Sequence, residues 1–116
     1  KYKGFSTFIS ENNIHGKNSL KLSSCIGAAL VKTGFKPSLH HAELINGENR
    51  KLIDRGRGIF EFGDLSILKN ANAPAVLIEC GIIANMDEEI LLNDPSYNNK
   101  LVSGIIMGIV RYFKNV

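Results

Sequence analysis

Four apolar residues that end in a carboxylate, Ala75-Val76-Leu77-Ile78-Glu79, constrain the fold of this chain more than any other stretch. A short continuous apolar run is typical of a strand covered on both faces, as in the sheets of α/β proteins. Because a strand interior disfavours a charge, Glu79 is predicted to lie just past the strand end, where open α/β sheets hold their chemistry. The run therefore predicts an active-site carboxylate at the end of a buried strand.

The rest of the chain supplies helices and one further strand for such a sheet. The predicted elements are a strand at residues 5–10, a helix from residue 18 or 19 to Gly34, a short strand or helical turn at 65–68, the strand 75–78, a short helix at 86–93 and a last helix from residue 94. The last helix has a wide apolar face and is expected to be largely covered. Its apolar residues are Leu101, Val102, Ile105, Ile106, Gly108, Ile109, Val110, Tyr112 and Phe113. This pattern predicts an α/β fold, a mainly parallel sheet flanked by helices.

Residues 35–63 show no regular period and contain several glycines. A segment of that length without regular structure is uncommon in a compact domain unless it serves a site. Because this segment supplies no predicted strand, the strand at 75–78 has too few neighbouring strands in the chain. We therefore expect the chain to be the C-terminal portion of a domain and to pair with a missing N-terminal half.

Composition excludes some classes of function. The 116 residues carry a net charge of +3, and no cluster of Lys and Arg is interleaved with aromatic residues, so nucleic acid is not an expected partner. No run of about 18 apolar residues predicts a transmembrane segment. Cys25 and Cys80 are expected to pack as small apolar groups rather than to form a disulfide.

The histidines and the carboxylate leave alternatives open. A self-contained metal site built from His15, His40, His41 and Glu79 is disfavoured, because their spacing matches no zinc motif. Glu79 itself can be read as a catalytic group, or as a carboxylate that caps a helix or pairs with a lysine.

The segment 35–63 likewise has two interpretations. Its charged residues can be a solvated loop face, or the loop can line a substrate groove with His41, Glu48 or Arg50 in contact with sugar or peptide. The sequence does not choose between them.

The run from Leu65 to Asn85, followed by an acidic helix start and a closing amphipathic helix, resembles the C-terminal half of zinc-dependent N-acetylmuramoyl-L-alanine amidases, cell-wall hydrolases of the autolysin and cell-separation type. The shared pattern is an apolar strand after a proline, then Glu, then a short apolar turn that ends in Asn and an acidic residue. Residues 4–10 resemble the strand that follows the third metal ligand of the family, residues 19–30 the next helix, and Asn46-Gly47-Glu48-Asn49-Arg50 a loop of one branch. The resemblance covers essentially the whole chain.

The resemblance implies hydrolysis of the amide between N-acetylmuramic acid and the L-alanine of the peptidoglycan stem peptide. Glu79 matches the family carboxylate that works with zinc-bound water as general base and then general acid. None of His15, His40 or His41 matches a ligand position, so the Zn²⁺ ligands are expected outside this chain, and the chain alone is expected to be inactive. The implied location is the cell envelope, periplasmic or secreted.

Two other functions remain open for residues 1–116. One is a metal-free, truncated remnant that acts as a glycopeptide- or protein-binding module. The other is a hydrolase of the same fold that acts on a different amide. The first belongs to a different class of function, since it needs no catalysis by Glu79.

Overall fold

A computed structural model describes residues 2–45 and 48–115 of the chain. Within these ranges a four-stranded sheet is flanked by helices. The elements are β1 (Ser6–Ile9), α1 (Gly16–Lys32), a 3₁₀ turn (His40–Ala42), β2 (Leu52–Asp54), β3 (Ile59–Glu61), α2 (Ser66–Lys69), β4 (Leu77–Glu79), α3 (Met86–Leu92) and α4 (Pro95–Lys114). The predicted α/β class is confirmed.

The described sheet is mixed rather than mainly parallel as predicted, with strand order β2-β3-β1-β4. The central strand β1 runs parallel to β3 and antiparallel to β4, and β2 runs antiparallel to β3. All four residues of β1 are buried. The polar Thr7 is tolerated there because its hydroxyl lies 2.6 Å from that of Ser23 on α1. The predicted strand at 5–10 is thus confirmed as Ser6–Ile9, and the structure places it between β3 and β4.

The strand that ends in Glu79 differs from its prediction. We expected residues 75–78 to be buried on both faces, but β4 is a three-residue strand beside β1 at the end of the sheet as described. Leu77 is 40% exposed, and Glu79 is the last strand residue rather than the residue after it. An apolar run does not reveal which of its residues another element will cover, and Leu77 is only partly covered in the described part of the chain.

The segment 35–63 is more regular than predicted. It contains the 3₁₀ turn, β2 and β3, and Ile59 and Phe60 of β3 are fully buried beside β1. Gly58, at φ 67°, leads the chain into this strand in a backbone conformation that favours glycine. A three-residue strand is too short to give a measurable period, so the sequence did not reveal it.

Helices α1 and α4 pack together over one face of the sheet. They approach closely at Gly108, where an added Cβ would lie 2.5 Å from the Cα of Ile26. The core on this face consists of Phe5, Ile26, Leu30, Phe35 and Leu101, with Cys80 among the partly buried residues packed against it. Cys25 and Cys80 are free thiols, and burial raises the pKa of the Cys80 thiol.

Less of the apolar face of α4 is buried than predicted. Leu101, Gly104, Gly108 and Tyr112 are buried at a spacing of three or four residues. By contrast, Val102, Ile106, Val110 and Phe113 are between 47% and 68% exposed. Helix α1 covers one stripe of α4 and the short helix α3 adds a smaller contact, so the expectation that its wide apolar face is largely covered was wrong.

The other predicted helices are confirmed with small shifts at their ends. Helix α1 begins at Gly16, before the predicted residue 18 or 19. Residues 66–69 form the short helix α2 rather than a strand. The side chains of Asn85 and Asp94 cap α3 and α4 by accepting backbone N–H bonds. No helix within the described ranges has the length and apolar character needed to cross a membrane.

Candidate active site

Glu79 projects on the sheet face opposite to α1 and α4. It pairs with Ser6 across the antiparallel β1–β4 ladder, so their side chains share one face, and Phe8 lies two residues further along β1 on that face. We call this surface the aromatic face. Its buried cluster consists of Phe8, Phe60 and Leu68. The Glu79 side chain is 36% exposed, so the carboxylate remains accessible to solvent.

His41 is the direct partner of Glu79. Its Nε2 lies 2.9 Å from Glu79 Oε1, and its Nδ1 lies 2.9 Å from Glu48 Oε2. The imidazole stands edge-on to Phe8 and Phe60, at ring centroid distances of 5.0 and 5.7 Å. The ring is only 14% exposed. The contact therefore joins a partly buried imidazole to a partly exposed carboxylate.

A second layer of contacts holds the loop that carries His41. His40 Nδ1 lies 2.8 Å from Glu43 Oε1, and His40 Nε2 lies 3.3 Å from Glu48 Oε1. The backbone N–H of Arg50 donates to the carbonyl of His41 at 2.6 Å. The Arg50 guanidinium lies 3.8 Å from the centre of the Phe62 ring. These contacts fix the loop against the sheet.

The electrostatics favour a charged imidazole. The hydrogen bond with Glu79 raises the pKa of His41, burial opposes this, and Glu48 raises it further. The net effect is a pKa above the ordinary value, since two carboxylates flank one ring. The two contacts therefore stabilise the protonated form of the His41 ring relative to the neutral form.

The structure brings together some of the candidate residues and separates others. Glu79, His41 and Glu48 meet at one point, and the capping and lysine-pairing alternatives for Glu79 are replaced by the contact with His41. His15 lies apart from them, at the start of α1. Asn46 and Gly47 of the family-like loop lie outside the described residues.

Glu88 is the residue whose role the sequence did not reveal. It was predicted as part of an acidic first turn, yet only 6% of it is exposed. Its Oε1 accepts hydrogen bonds from the backbone N–H of Gly4 at 2.7 Å and of Ile82 at 3.3 Å. It therefore joins the start of β1 to the turn after β4. The residues next to Glu88 in the sequence do not indicate that its partner Gly4 lies 84 positions away.

The residue set does not fit a zinc site by itself. Among the described residues, no group of three or more His, Cys, Asp and Glu side chains is arranged to hold a metal ion. The carboxylates near His41 instead contact its two ring nitrogens. What the site offers chemically is a carboxylate held at one oxygen by an imidazole, which leaves Oε2 of Glu79 for another partner.

Comparison with known proteins agrees with this fold. The profile of a family described as N-acetylmuramoyl-L-alanine amidase matches residues 1–111. The CwlD amidase of Clostridioides difficile, solved in complex with the GerS lipoprotein, is 30% identical, with a TM-score of 0.72 over 100% of this chain and 49% of that chain. Ami1 of Mycobacterium smegmatis, at 23% identity, shares the fold with a TM-score of 0.80 over 98% of this chain and 48% of its own.

Sequence relatives carry the same description. The germination-specific N-acetylmuramoyl-L-alanine amidase of Bacillus subtilis (strain 168) is 43% identical over 47 residues, which is 40% of this chain and 20% of the relative. A putative N-acetylmuramoyl-L-alanine amidase of Buchnera aphidicola subsp. Baizongia pistaciae is 30% identical over 101 residues, 87% of this chain and 44% of the relative. The fold is that of amidase catalytic domains. The chain belongs to the N-acetylmuramoyl-L-alanine amidase family, and it spans less than half the length of these two relatives.

Proposed function

We propose that the protein that contains this chain hydrolyses the amide between N-acetylmuramic acid and the L-alanine of the peptidoglycan stem peptide. Residues 1–116 are then the C-terminal portion of one catalytic domain, which accords with a match to about half of each solved structure. Its substrate, peptidoglycan, locates the enzyme in the cell envelope, either periplasmic or secreted.

Glu79 is the catalytic residue in this proposal. Amide hydrolysis needs a base that removes a proton from water and an acid that returns a proton to the leaving amine. The observation that carries the assignment is the position of Glu79, at the end of β4, accessible to solvent and held through Oε1 by His41. A carboxylate fixed at one oxygen can take and return a proton at the other. Glu79 thus acts first as base and then as acid.

A role for zinc is inferred only from membership of the family. A bound Zn²⁺ polarises a carbonyl and lowers the pKa of water. Since the described residues form no metal site, its ligands would have to come from outside this chain. In this proposal the described residues supply the proton shuttle and not the metal ligands, so the 116 residues alone are expected to be inactive.

The test is Glu79→Gln in the full-length protein, measured on purified peptidoglycan. Glutamine keeps the size of the side chain and removes the base, so the turnover number should fall by a factor on the order of 10² to 10⁴. Binding of the substrate should change little, because the loss lies in the transition state. Glu89→Gln is the matched control: Glu89 is an exposed carboxylate on α3, and activity should persist.

Other results would assign different roles. Zinc content, measured by elemental analysis, should be equal in the wild type and in Glu79→Gln. Loss of zinc together with activity would make Glu79 a ligand, and full activity would make it a structural residue. A full-length wild type that binds peptidoglycan without cleaving it would favour the metal-free binding module.

A further inference from the structure

Three side chains form a line from a loop to the end of β4. Glu48 Oε2 lies 2.9 Å from His41 Nδ1, and His41 Nε2 lies 2.9 Å from Glu79 Oε1. Both ring nitrogens of one imidazole therefore contact carboxylates. Since an ionised carboxylate only accepts hydrogen bonds, both nitrogens donate when the ring is protonated. The geometry fits an imidazolium shared by two anions.

The position of the imidazole is set independently of Glu79. Its edges pack against Phe8 and Phe60, two residues of the buried aromatic cluster. Its own backbone carbonyl accepts the 2.6 Å hydrogen bond from Arg50. By contrast, Glu79 lies on a short strand at the end of the sheet as described and is more exposed than His41. Of the two partners, His41 is the one held by the core.

We propose that His41 is a positioning residue for Glu79, an inference that rests on the function proposed above. Nε2 of His41 holds Oε1 of the carboxylate and thereby presents Oε2 in one orientation for proton transfer. Glu48 fixes the ring at Nδ1. A carboxylate that orients an imidazole is a recurrent device in hydrolases. Here the imidazole in turn orients a second carboxylate.

The titratable groups that face His41 lie on a few elements of the structure. Glu79 faces it from β4, Glu48 from the loop that follows the 3₁₀ turn, and His40 from the turn itself at a ring centroid distance of 5.3 Å. Strands β1 and β3 contribute aromatic rings. The nearby Arg50 directs its guanidinium onto an aromatic ring. Glu79 and Glu48 are therefore the groups that stabilise the protonated form of the His41 ring.

The kinetic test compares His41→Ala, His41→Gln and the control His15→Gln in the full-length protein. A hydrogen bond to a charged group contributes enough that kcat of His41→Ala should fall roughly 10- to 100-fold. His41→Gln should lose less, because its amide can donate to Glu79 from nearly the same place. The wild type should lose kcat as pH rises through the pKa of His41, and His41→Gln should lack that decline. KM should change little, and His15→Gln should resemble the wild type.

A second measurement does not depend on activity. Titration of the His41 ring by NMR in the wild type, Glu79→Gln and Glu48→Gln reports the contacts directly. The pKa of His41 should fall most in Glu79→Gln and less in Glu48→Gln, since the bond to Glu79 is the largest cause of the shift. The titration of His15 should be the same in all three proteins.

The outcomes separate the two proposals. An inactive Glu79→Gln with an unchanged pKa of His41 overturns the positioning role and leaves the proposed function intact. A fully active Glu79→Gln with a lowered pKa of His41 overturns the catalytic role of Glu79. Unchanged kcat and pH profile in His41→Ala, with only a lower melting temperature, would overturn the positioning role and leave His41 a structural residue.

Discussion

The two faces of the sheet are built differently. On one face, α1 and α4 cover a largely aliphatic core that includes Ile26, Leu30 and Leu101. On the aromatic face, Phe8 and Phe60 are covered by loops and short elements, and residues such as Leu39, Ala42 and Leu52 pack at their margin. Long helices bury apolar area efficiently, whereas loops bring backbone and titratable groups close to the sheet.

The difference shows where this chain gains stability and where it holds its chemistry. The helix-covered face carries the close contact between Gly108 and Ile26 and a core of mainly aliphatic side chains. The aromatic face holds His41 and Glu79, with a raised pKa at His41. Substitutions on the first face should therefore change the free energy of unfolding, and substitutions at the site should change catalysis more than stability.

The largest effect is expected for Leu30→Ala, in the helix-covered core. Leu30 is fully buried, and such truncations lower the free energy of unfolding by about 2–5 kcal/mol. Ile106→Ala on α4 is the control, because Ile106 is 54% exposed and should cost much less. Urea denaturation followed by circular dichroism measures both. Equal losses would mean that another surface covers the exposed side of α4.

Glu88→Ala tests a buried polar contact at the boundary of the two faces. The substitution leaves the backbone N–H groups of Gly4 and Ile82 without their carboxylate acceptor. Hydrogen bonds to charged groups contribute about 1.5–3 kcal/mol, so the free energy of unfolding should fall by that amount. Glu89→Ala, on the neighbouring exposed residue, should have a small effect. Equal melting temperatures for the two variants would show that the hydrogen bonds of Glu88 to Gly4 and Ile82 do not stabilise the fold.

Gly108→Ala tests the close approach of α1 and α4. The added Cβ would meet backbone atoms of Ile26 at 2.5 and 2.8 Å, so the helices must separate. Overpacking of this kind costs about 1–3 kcal/mol. Ser103→Ala, at an exposed position on the same helix, should be neutral or slightly stabilising because alanine favours helix. Thermal unfolding of the two variants checks the prediction, which fails if both melt alike.

The smallest effect is the pH dependence that His41 gives to stability. Its pKa is raised in the folded state, so its contribution is fully present below the unfolded value of about 6.5 and is lost as pH rises through the folded pKa. The melting temperature of the wild type should exceed that of His41→Gln most at about pH 6 and least at alkaline pH. A constant difference across this range would show that the charge on His41 does not contribute.

Local signals in the sequence predicted the elements that depend on near neighbours. Asp94 and Pro95 marked the start of α4, and Asn85 lies at the predicted start of α3. Capping and helical periodicity act over a few residues, so a single sequence contains them. The apolar run into Glu79 likewise predicted a strand with a carboxylate at its end, although with too much burial.

The site itself depends on contacts between distant residues. Glu79 was named as a candidate from its position, and His41 and Glu48 only as one alternative for an irregular segment. The sequence could not pair His41 with Glu79, because 38 residues separate them and no pattern links the two positions.

The sequence by itself thus determined the α/β class, the main helices with their caps, and the candidate carboxylate, since these follow from composition and short-range periodicity. Tertiary structure alone decided that β3 lies beside β1, that β4 lies at the end of the sheet as described, and that Glu88 is buried. It also decided which partner Glu79 has. These features depend on which strands and loops become neighbours, and that is set by the packing of the whole chain rather than by any local stretch.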